Sequence, residues 1–485
     1  MRTALLSRSL LGALALAVLS TGCSREGTSA QPTGPSTANP PSGPAPAGTG
    51  ASQPGASAAA SDAPAATSGA PGAPAAPGTP AATAQPGGAP GKLNVLVISI
   101  DSMRADMPWA GYPRDIAPNL TKFEKEAVNY TRHYAVSSYT AMSVGGFLSG
   151  RYPGELQRSG YFFSAYPAEE TFFPELLQKA SVRTMSAQAH FYFNKEKAGF
   201  HQGFDVWEIT PGISADNTTD RNITSPQHLE LAQKHLSDKA NTGGTFFAFY
   251  HFLDPHDMYM QHEGIESFGK KARDLYDGEM KFTDQHVGKL IDFVHAQGWG
   301  KRTAIIITAD HGEGFGEHKM YRHGFELWDM LTHVPLLIQA PGIKPRRIDT
   351  PRSSIDLAPT ILELTGTPLP TDPKFQGTSL VPELYGKEPE PRDVIIDLPR
   401  TSDNDRRRAL IHDRYKLIAY GDDEAFALYD LVDDPGETKD LQRDKTKKEA
   451  FEQMMTRYKE RVSTIKDICP KMREKLKGRK KSKPC

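Results

Sequence analysis

Carboxylate and imidazole side chains follow three apolar runs that are rich in β-branched residues. Such runs are typical of strands buried on both faces of a parallel sheet. Residues 93–100 precede Asp101, and residues 245–252 precede Asp254 and His256. Residues 303–308 precede Asp310 and His311. In open α/β sheets, ligands bind outside the carboxyl ends of strands. We therefore expect these polar side chains to converge on one crevice.

The adjacent residues Asp310 and His311 have the side chains of a divalent metal site. Carboxylate oxygen and imidazole nitrogen both suit zinc and manganese. Calcium prefers oxygen ligands, so a nitrogen ligand favours Mn or Zn over Ca. Asp101 is a third predicted ligand, although an aspartate after a strand also commonly caps a turn. For His311 the alternative is a structural histidine in the core.

Thr140 precedes an apolar segment, residues 141–148, that we predict to be a helix. The first backbone N–H groups of a helix lack partners within it, and the helix dipole favours negative charge there. The hydroxyl of Thr140 has two interpretations. It caps the helix, or it is a nucleophile that a nearby metal ion activates.

The stretch 138–153 resembles the sulfatase signature, a Cys-x-Pro-Ser-Arg core followed by a Leu-Thr-Gly-Arg-Tyr-Pro-like tail. Aligning Ser149-Gly150-Arg151 with that tail places Thr140 where sulfatases carry the cysteine that is oxidised to formylglycine. A threonine cannot undergo that modification, and Met142 and Val144 replace the proline and arginine. Thr-Ala-x-Ser also resembles the nucleophile segment of phosphoethanolamine and lipoteichoic-acid-type transferases. This second resemblance implies that Thr140 is both nucleophile and metal ligand.

The resemblance to sulfatases covers residues 93 to about 441 and implies roles for four histidines. His256, in an Asp-Pro-His segment, and His323 are expected to bind the oxyanion or the leaving group. His190 is expected to line the substrate pocket or to be structural. His251 and Asp254 either support His256 in substrate binding or complete a second metal site.

Helical patterns alternate with the apolar runs and predict an α/β fold with a mostly parallel central sheet. The predicted helices are 119–128, 173–180, 226–236 and 270–296, and a further strand is 334–339. The resemblance implies an alkaline-phosphatase-like sandwich for residues 92–390. Residues 391–466 are predicted to form a small C-terminal subdomain with an antiparallel sheet. Its predicted strands are 393–397, 408–412, 415–420 and 427–430, and a helix follows at 447–466.

The N-terminus reads as a secretory signal peptide over residues 1–22. Arg2 and Arg8 precede an apolar run, 10–19, that is too short to span a bilayer comfortably. Cys23 then resembles the lipidated cysteine of bacterial lipoproteins; the alternative is ordinary cleavage nearby. Residues 23–91, rich in Pro, Ala, Gly and Ser, are expected to form a disordered tether. We expect a cell-envelope lipoprotein, attached by its lipid to the outer membrane.

The charge of the chain is almost balanced, with 57 Lys and Arg against 58 Asp and Glu. This balance argues neither for nor against a nucleic-acid partner, and we predict none. The basic tail 467–485 is a solvated segment or contacts an anionic membrane or polysaccharide surface. The sequence leaves open whether Cys469 and Cys485 pair.

These features predict an enzyme that acts on an anionic ester, which is a lipid headgroup, a glycan or a small molecule. Thr140 attacks the central atom, and water or an acceptor alcohol then releases the covalent ester. A formylglycine hydrate expels sulfate by elimination, whereas a threonine ester must be attacked a second time. Phosphoryl enzymes use this route, so phosphoester chemistry is favoured. The alternatives are a sulfuric ester hydrolase and an inactive protein that binds anionic glycans.

Overall fold

The structure is a computed structural model that describes residues 91–194, 198–211, 213, 223–372 and 374–470. By its internal contacts the chain divides into Met1–Thr79 and Pro80–Cys485, and all described residues belong to the second unit. The predicted signal peptide, Cys23 and almost all of the predicted tether lie outside the described residues. So do Cys485 and the tail from residue 471, whereas Cys469 is described and exposed.

An eight-stranded sheet lies at the centre of the larger part of the fold, in the order β5-β4-β6-β1-β7-β8-β2-β9. Its strands are β1 (Asn94–Ile100), β2 (Val128–Tyr130), β4 (Arg183–Gln188), β5 (Val206–Ile209), β6 (Phe246–Phe252), β7 (Thr303–Thr308), β8 (Leu336–Gln339) and β9 (Arg346–Ile348). The five strands from β5 to β7 in this order are parallel to one another. β8 runs antiparallel to both of its neighbours.

Helices cover both faces of this sheet because the central strands are apolar on both sides. Val95 and Val97 of β1 belong to one core cluster, and Leu96 and Ile98 belong to the other. The helices are α1 (Pro118–Glu124), α2 (Thr140–Ser149), α3 (Phe173–Lys179), α4 (Ser225–Ser237), α5 (Lys239–Thr242), α6 (Ala272–Ala296), α7 (Asp329–Thr332), α8 (Leu357–Leu364), α9 (Val381–Leu384) and α10 (Lys448–Val462). α2, α3 and α8 pack on one face, and α1, α4 and α6 pack on the other.

The C-terminal part is an antiparallel four-stranded sheet against which α10 packs. Its strands are β11 (Val394–Leu398), β12 (Arg407–His412), β13 (Tyr415–Tyr420) and β14 (Ala425–Asp430), and a short parallel pair, β3 (His133–Tyr134) and β10 (Arg352–Ser353), lies elsewhere in the fold. A buried ion pair joins Arg408 Nε to Asp397 Oδ1 at 2.8 Å. Arg408 also reaches Asp467, beyond α10, at 2.7 Å.

The predicted fold class is confirmed: a mostly parallel sheet between helices, with a separate small antiparallel sheet. The helix predicted at 119–128 is too long, because α1 ends at Glu124 and Val128 already belongs to β2. Within the described residues, no helix combines the length and the apolar character needed to cross a membrane. The domain boundaries at residues 390 and 466 stay a prediction.

Candidate active site

The predicted site residues meet at the carboxyl edge of the sheet because they follow neighbouring strands. β4, β6, β1 and β7 are adjacent and parallel, so their carboxyl ends lie side by side. His190 follows β4, His251 lies near the end of β6, Asp101 follows β1, and Asp310 and His311 follow β7. The sequence-based expectation that these segments share one crevice agrees with this topology.

Asp101, Asp310 and His311 form a buried cluster with the geometry of a metal site, called the metal-type cluster below. One ligand atom from each lies within 4.8 Å of the others. His311 Nε2 is 3.4 Å from Asp310 Oδ2 and 3.5 Å from Asp101 Oδ1. Asp310 Oδ2 is buried and has no hydrogen-bond partner in the described part of the chain. Two carboxylates, one of them with an unsatisfied buried oxygen, and an imidazole nitrogen fit a divalent transition metal.

The protonation of this cluster also suits a metal ion. Burial alone would raise the pKa of Asp101, but neighbouring histidines, His256 foremost, hold it well below its usual range. Burial lowers the pKa of His311, so its ring is neutral. His311 Nδ1 faces the carbonyl oxygen of Gly312 at 2.9 Å and must therefore donate to it. The lone pair of Nε2 is then directed at the cluster.

Thr140 places its hydroxyl beside this cluster. Its Oγ1 lies 3.1 Å from His311 Nε2. α2 begins at Thr140 itself, and Tyr139 occupies the cap position without a side-chain cap. The interpretation of Thr140 as a helix cap is therefore wrong. The hydroxyl faces the metal-type cluster instead, next to the N–H groups of the first helical turn.

His251, for which the sequence left open a role in substrate binding or in a second metal site, lies beside Asp101. Its side chain is fully buried, and it is absent from the walls of the cavity at Thr140. Its Nε2 lies 3.1 Å from Asp101 Oδ2 and 3.9 Å from Asp310 Oδ2. Because it lies one residue before the end of β6, its ring points into the cluster and positions Asp101.

Asp254 has a structural role in place of the two that were considered. Its carboxylate accepts hydrogen bonds from the backbone N–H groups of Thr224 and Ser225 at 2.6 and 2.7 Å. It therefore holds the N-terminus of α4. A second metal site that includes Asp254 does not fit this arrangement.

His323 presents a positive charge above the cluster. Its Nδ1 lies 3.2 Å from Glu313 Oε2, and the hydroxyl of Tyr259 donates to the same oxygen at 2.7 Å. Burial opposes protonation, but the Glu313 carboxylate outweighs it and raises the pKa of His323 to about 9. The ring centroid of His323 is 4.1 Å from that of His311. An imidazolium here suits an anion bound at Thr140.

His190 and His256 complete a row of three histidines with His323. Ring centroids are 6.0 Å apart for His190 and His256, and 5.2 Å apart for His256 and His323. The N–H of Tyr192 donates to His190 Nδ1, and burial lowers the pKa of His190 to about 3. Its ring is thus neutral and carries its proton on Nε2, as a donor. His256 Nδ1 donates to the carbonyl oxygen of Asp257.

The three histidines and Thr140 line a cavity of about 500 Å³. The sequence indicated all four of these residues. It did not indicate Glu313 and Tyr259, which hold His323 in place. Glu313 stands in the Asp-His-Gly-Glu motif. An acid two residues after the predicted metal ligand His311 is the sequence signal that could have indicated it.

The fold and the site together define an α/β protein with a metal-type cluster, a hydroxyl and an anion-binding face at one sheet edge. A family model described as "Sulfatase" matches residues 93–367. A second model, "N-sulphoglucosamine sulphohydrolase, C-terminal", matches residues 316–464. The first model covers more than half of the chain, so the chain belongs to the sulfatase family, whose members are metal-dependent ester hydrolases.

Individual relatives agree with this assignment. The ulvan-active sulfatase of Formosa agariphila is 26% identical over 348 residues, which are 62% of this chain and 66% of that protein. Several other curated relatives match over only about a third of their length.

Solved structures share the fold. A putative sulfatase from Bacteroides thetaiotaomicron superposes with a TM-score of 0.66 at 19% identity, covering 78% of this chain and 93% of that one. The phosphonate monoester hydrolase of Silicibacter pomeroyi superposes with a TM-score of 0.62 at 21% identity, covering 78% and 96%.

Proposed function

We propose that the protein cleaves or transfers anionic esters through a covalent intermediate on Thr140, with phosphorus as the favoured central atom. The observation that carries the proposal is the 3.1 Å approach of Thr140 Oγ1 to His311 Nε2, beside the buried carboxylates. A hydroxyl is a weak nucleophile unless a neighbouring group lowers its pKa. The Ser102 hydroxyl also lies at the cluster, but it donates to Asp101 Oδ1 at 2.9 Å, whereas Thr140 also lines the cavity.

Asp101, Asp310 and His311 would hold one or two divalent ions, manganese or zinc rather than calcium. When bound, such an ion lowers the pKa of an adjacent hydroxyl and offsets charge on the ester oxygens. The ligand set supports a transition metal because His311 offers a neutral nitrogen that is already oriented by Gly312. Asp101 is kept in place by His251.

The remaining steps follow from the residues around the cavity. Thr140 Oγ loses its proton to water in the cavity and forms a bond to phosphorus. The bond from phosphorus to the leaving oxygen breaks, and that oxygen takes up a proton from water. His323 and His256, with the first N–H groups of α2, stabilise the negative charge on the other oxygens. Water, or an acceptor alcohol, then attacks phosphorus, the bond to Oγ breaks, and Thr140 regains its proton. The cavity leaves room for the alcohol to depart and for the acceptor to enter.

Phosphorus is favoured because the ester on Thr140 has no route of elimination. A formylglycine hydrate has a second hydroxyl that collapses to an aldehyde, and the threonine side chain has none. Attack at the central atom is the route of phosphoryl enzymes. The fold shared with a phosphonate monoester hydrolase is compatible with this chemistry.

Hydrolysis of sulfate esters is the second candidate. The match to the sulfatase family model favours it. One relative is an ulvan-active sulfatase, which supports a sulfated substrate for this chain as well. On this alternative the same residues act, with sulfur in place of phosphorus.

A substrate panel tests the proposal. Full-length protein in detergent, loaded with Mn²⁺, Zn²⁺ or Ca²⁺, is assayed on aryl phosphate, aryl phosphodiester and aryl sulfate. We expect turnover of a phosphorus ester, lost in Thr140→Ala and kept in Thr456→Ala, a control on the exposed face of α10. Turnover of aryl sulfate alone would favour the second candidate. Binding of anionic glycans without turnover of any ester would favour an inactive protein.

We also propose that Cys23 carries a lipid that anchors the protein to the cell envelope, on the outer membrane. The support is the sequence pattern around Cys23. Membrane fractionation of wild type and Cys23→Ala tests it, together with the mass of the N-terminal peptide. An N-terminal peptide that begins elsewhere and carries no lipid would contradict it.

A further inference from the structure

One wall of the cavity is aromatic, and it is formed by residues 161–163 together with Tyr321 and Phe325. Two segments, residues 161–163 and 321–325, border the opening. Of the eight large hydrophobic side chains that are strongly exposed among the described residues, four lie on these segments. They are Tyr161 and Phe163, each 41% exposed, Phe325, 45% exposed, and Tyr321, 67% exposed. Exposed aromatic groups concentrated at one concave site indicate a binding surface.

Phe162 fixes the geometry of this wall. Its ring stacks on Tyr139 with centroids 4.2 Å apart and an interplanar angle of 10°, and on Phe325 at 5.4 Å and 19°. Phe163 meets Phe162 edge to face at 5.4 Å. Tyr139 directly precedes Thr140, so the stack begins at the nucleophile segment and extends outward. Phe163 also contacts Tyr192, with centroids 5.5 Å apart, but Phe163 and Tyr321 still expose part of their rings beyond the stack.

The charges of the cavity are distributed unevenly. At the Thr140 end, the ring of His323 lies 3.2 Å from the Glu313 carboxylate, and the first turn of α2 favours an anion. At the aromatic end, Arg322 is paired with Asp257 at 2.8 Å. Asp403, also on that side, accepts a hydrogen bond from Ser402. One end therefore suits a single anionic group, and the other end suits an uncharged, flat group.

We propose that the aromatic wall is a leaving-group subsite for a planar, uncharged aromatic ring carried by the ester. This inference rests on the proposed function, because it assumes that the anionic part of the substrate binds at Thr140. Aromatic pairs prefer offset-stacked or edge-to-face contacts with centroids about 4.5–7 Å apart. The exposed rings of Phe163 and Tyr321 are available for such contacts. A glycan with several sulfate groups would need additional cations on this wall, where the arginine is already paired.

The test measures binding instead of turnover, so that it does not depend on the chemistry. Manganese-loaded full-length protein is titrated with methylphosphonate and with benzylphosphonate, which share an anionic head and differ in the ring. We expect benzylphosphonate to bind about tenfold more tightly, the effect of about 1.4 kcal/mol of ring contact. In Phe163→Ala/Tyr321→Ala the ratio should fall to near one. Val432→Ala, which removes an exposed side chain outside the cavity, should keep it.

Three results would overturn the subsite. The first is an affinity ratio near one in the wild type. The second is a ratio that stays near tenfold in the double variant while the thermal unfolding of that variant is unchanged. The third is a sulfated disaccharide that binds more tightly than benzylphosphonate and loses affinity in the double variant.

Failure of the proposed function is separable from failure of the subsite. Thr140→Ala retains the aromatic wall, so its affinity ratio should equal that of the wild type. If Thr140→Ala also turns over esters at the wild-type rate, the nucleophile assignment fails while the subsite stands. If Thr140→Ala is inactive and the wild-type ratio is near one, the subsite alone fails.

Discussion

The metal-type half of the site and its anion-facing half are constructed differently. Asp101, Asp310 and His311 are all buried and sit directly after parallel strands in the centre of the sheet. Thr140, His256 and His323 lie on a helix start and on loops, at the wall of an open cavity. The sheet therefore fixes the proposed metal ligands, while the proposed nucleophile belongs to a separate element. If Thr140 is the nucleophile, this separation explains how one fold can keep a metal cluster and change its nucleophile.

Replacing the nucleophile should have the largest effect. Thr140→Ala removes the hydroxyl, and we expect kcat to fall by about 10⁴-fold or more, as for other covalent nucleophiles. Single-turnover kinetics measures the loss. Metal content should be unchanged if the two halves are independent. Wild-type turnover in this variant would exclude Thr140 as the nucleophile.

Weakening the metal half should have the next largest effect. Asp310→Asn removes the carboxylate whose Oδ2 has no hydrogen-bond partner in the described region. We expect loss of bound metal after dialysis, measured by elemental analysis, and a loss of activity of about 10³-fold, because metal stabilisation of charge is worth several kcal/mol. Excess metal should restore part of that activity. Full metal content in Asp310→Asn would show that the cluster is not the metal site.

Disturbing the support of His323 should have an intermediate effect. Glu313→Gln keeps the size of the side chain and removes the charge that pairs with His323. We expect kcat to fall by about tenfold to a hundredfold, since one charged group facing the anion is weakened. His323→Ala and the double variant should fall to about the same level because the two residues act together. Additive losses would mean that Glu313 acts through another residue.

Replacing Thr140 by serine should have the smallest effect. Thr140→Ser keeps the hydroxyl and removes only the methyl group, so we expect activity within about tenfold of wild type. The difference in kcat between Thr140→Ser and Thr140→Ala then measures the contribution of the hydroxyl alone. A serine variant as inactive as the alanine variant would indicate that packing around the methyl group, and not the nucleophile, explains both losses.

The central strands and the polar residues at their ends were predictable because a long apolar run followed at once by acids and histidines is visible in the sequence. β1, β6 and β7 are continuous apolar runs, and each prediction is within one residue of the structure. Polar residues directly after such runs are conspicuous, and parallel strands bring them together. The metal-type cluster was thus accessible from the sequence, as was Thr140 from its motif.

Other features left no comparable signal. β4 was missed because Thr184, Ser186 and Gln188 interrupt its apolar character, although all three are buried and hydrogen-bonded in the structure. The contact of His323 with Glu313 joins residues ten positions apart in a loop, where no periodicity applies. The role of His251 was left open between substrate binding and a second metal site, because the direction of a side chain at a strand end depends on register.

The most direct test of the account is to trap the intermediate on Thr140. Manganese-loaded protein is mixed with an aryl phosphate, quenched in acid within the first turnover, digested, and examined by high-resolution mass spectrometry. We expect a phosphoryl group on the peptide that contains residue 140 in the wild type and in Thr140→Ser, and no phosphoryl group on that peptide in Thr140→Ala. Rapid turnover with an unmodified Thr140 peptide, or with the phosphoryl group on another residue, would contradict it.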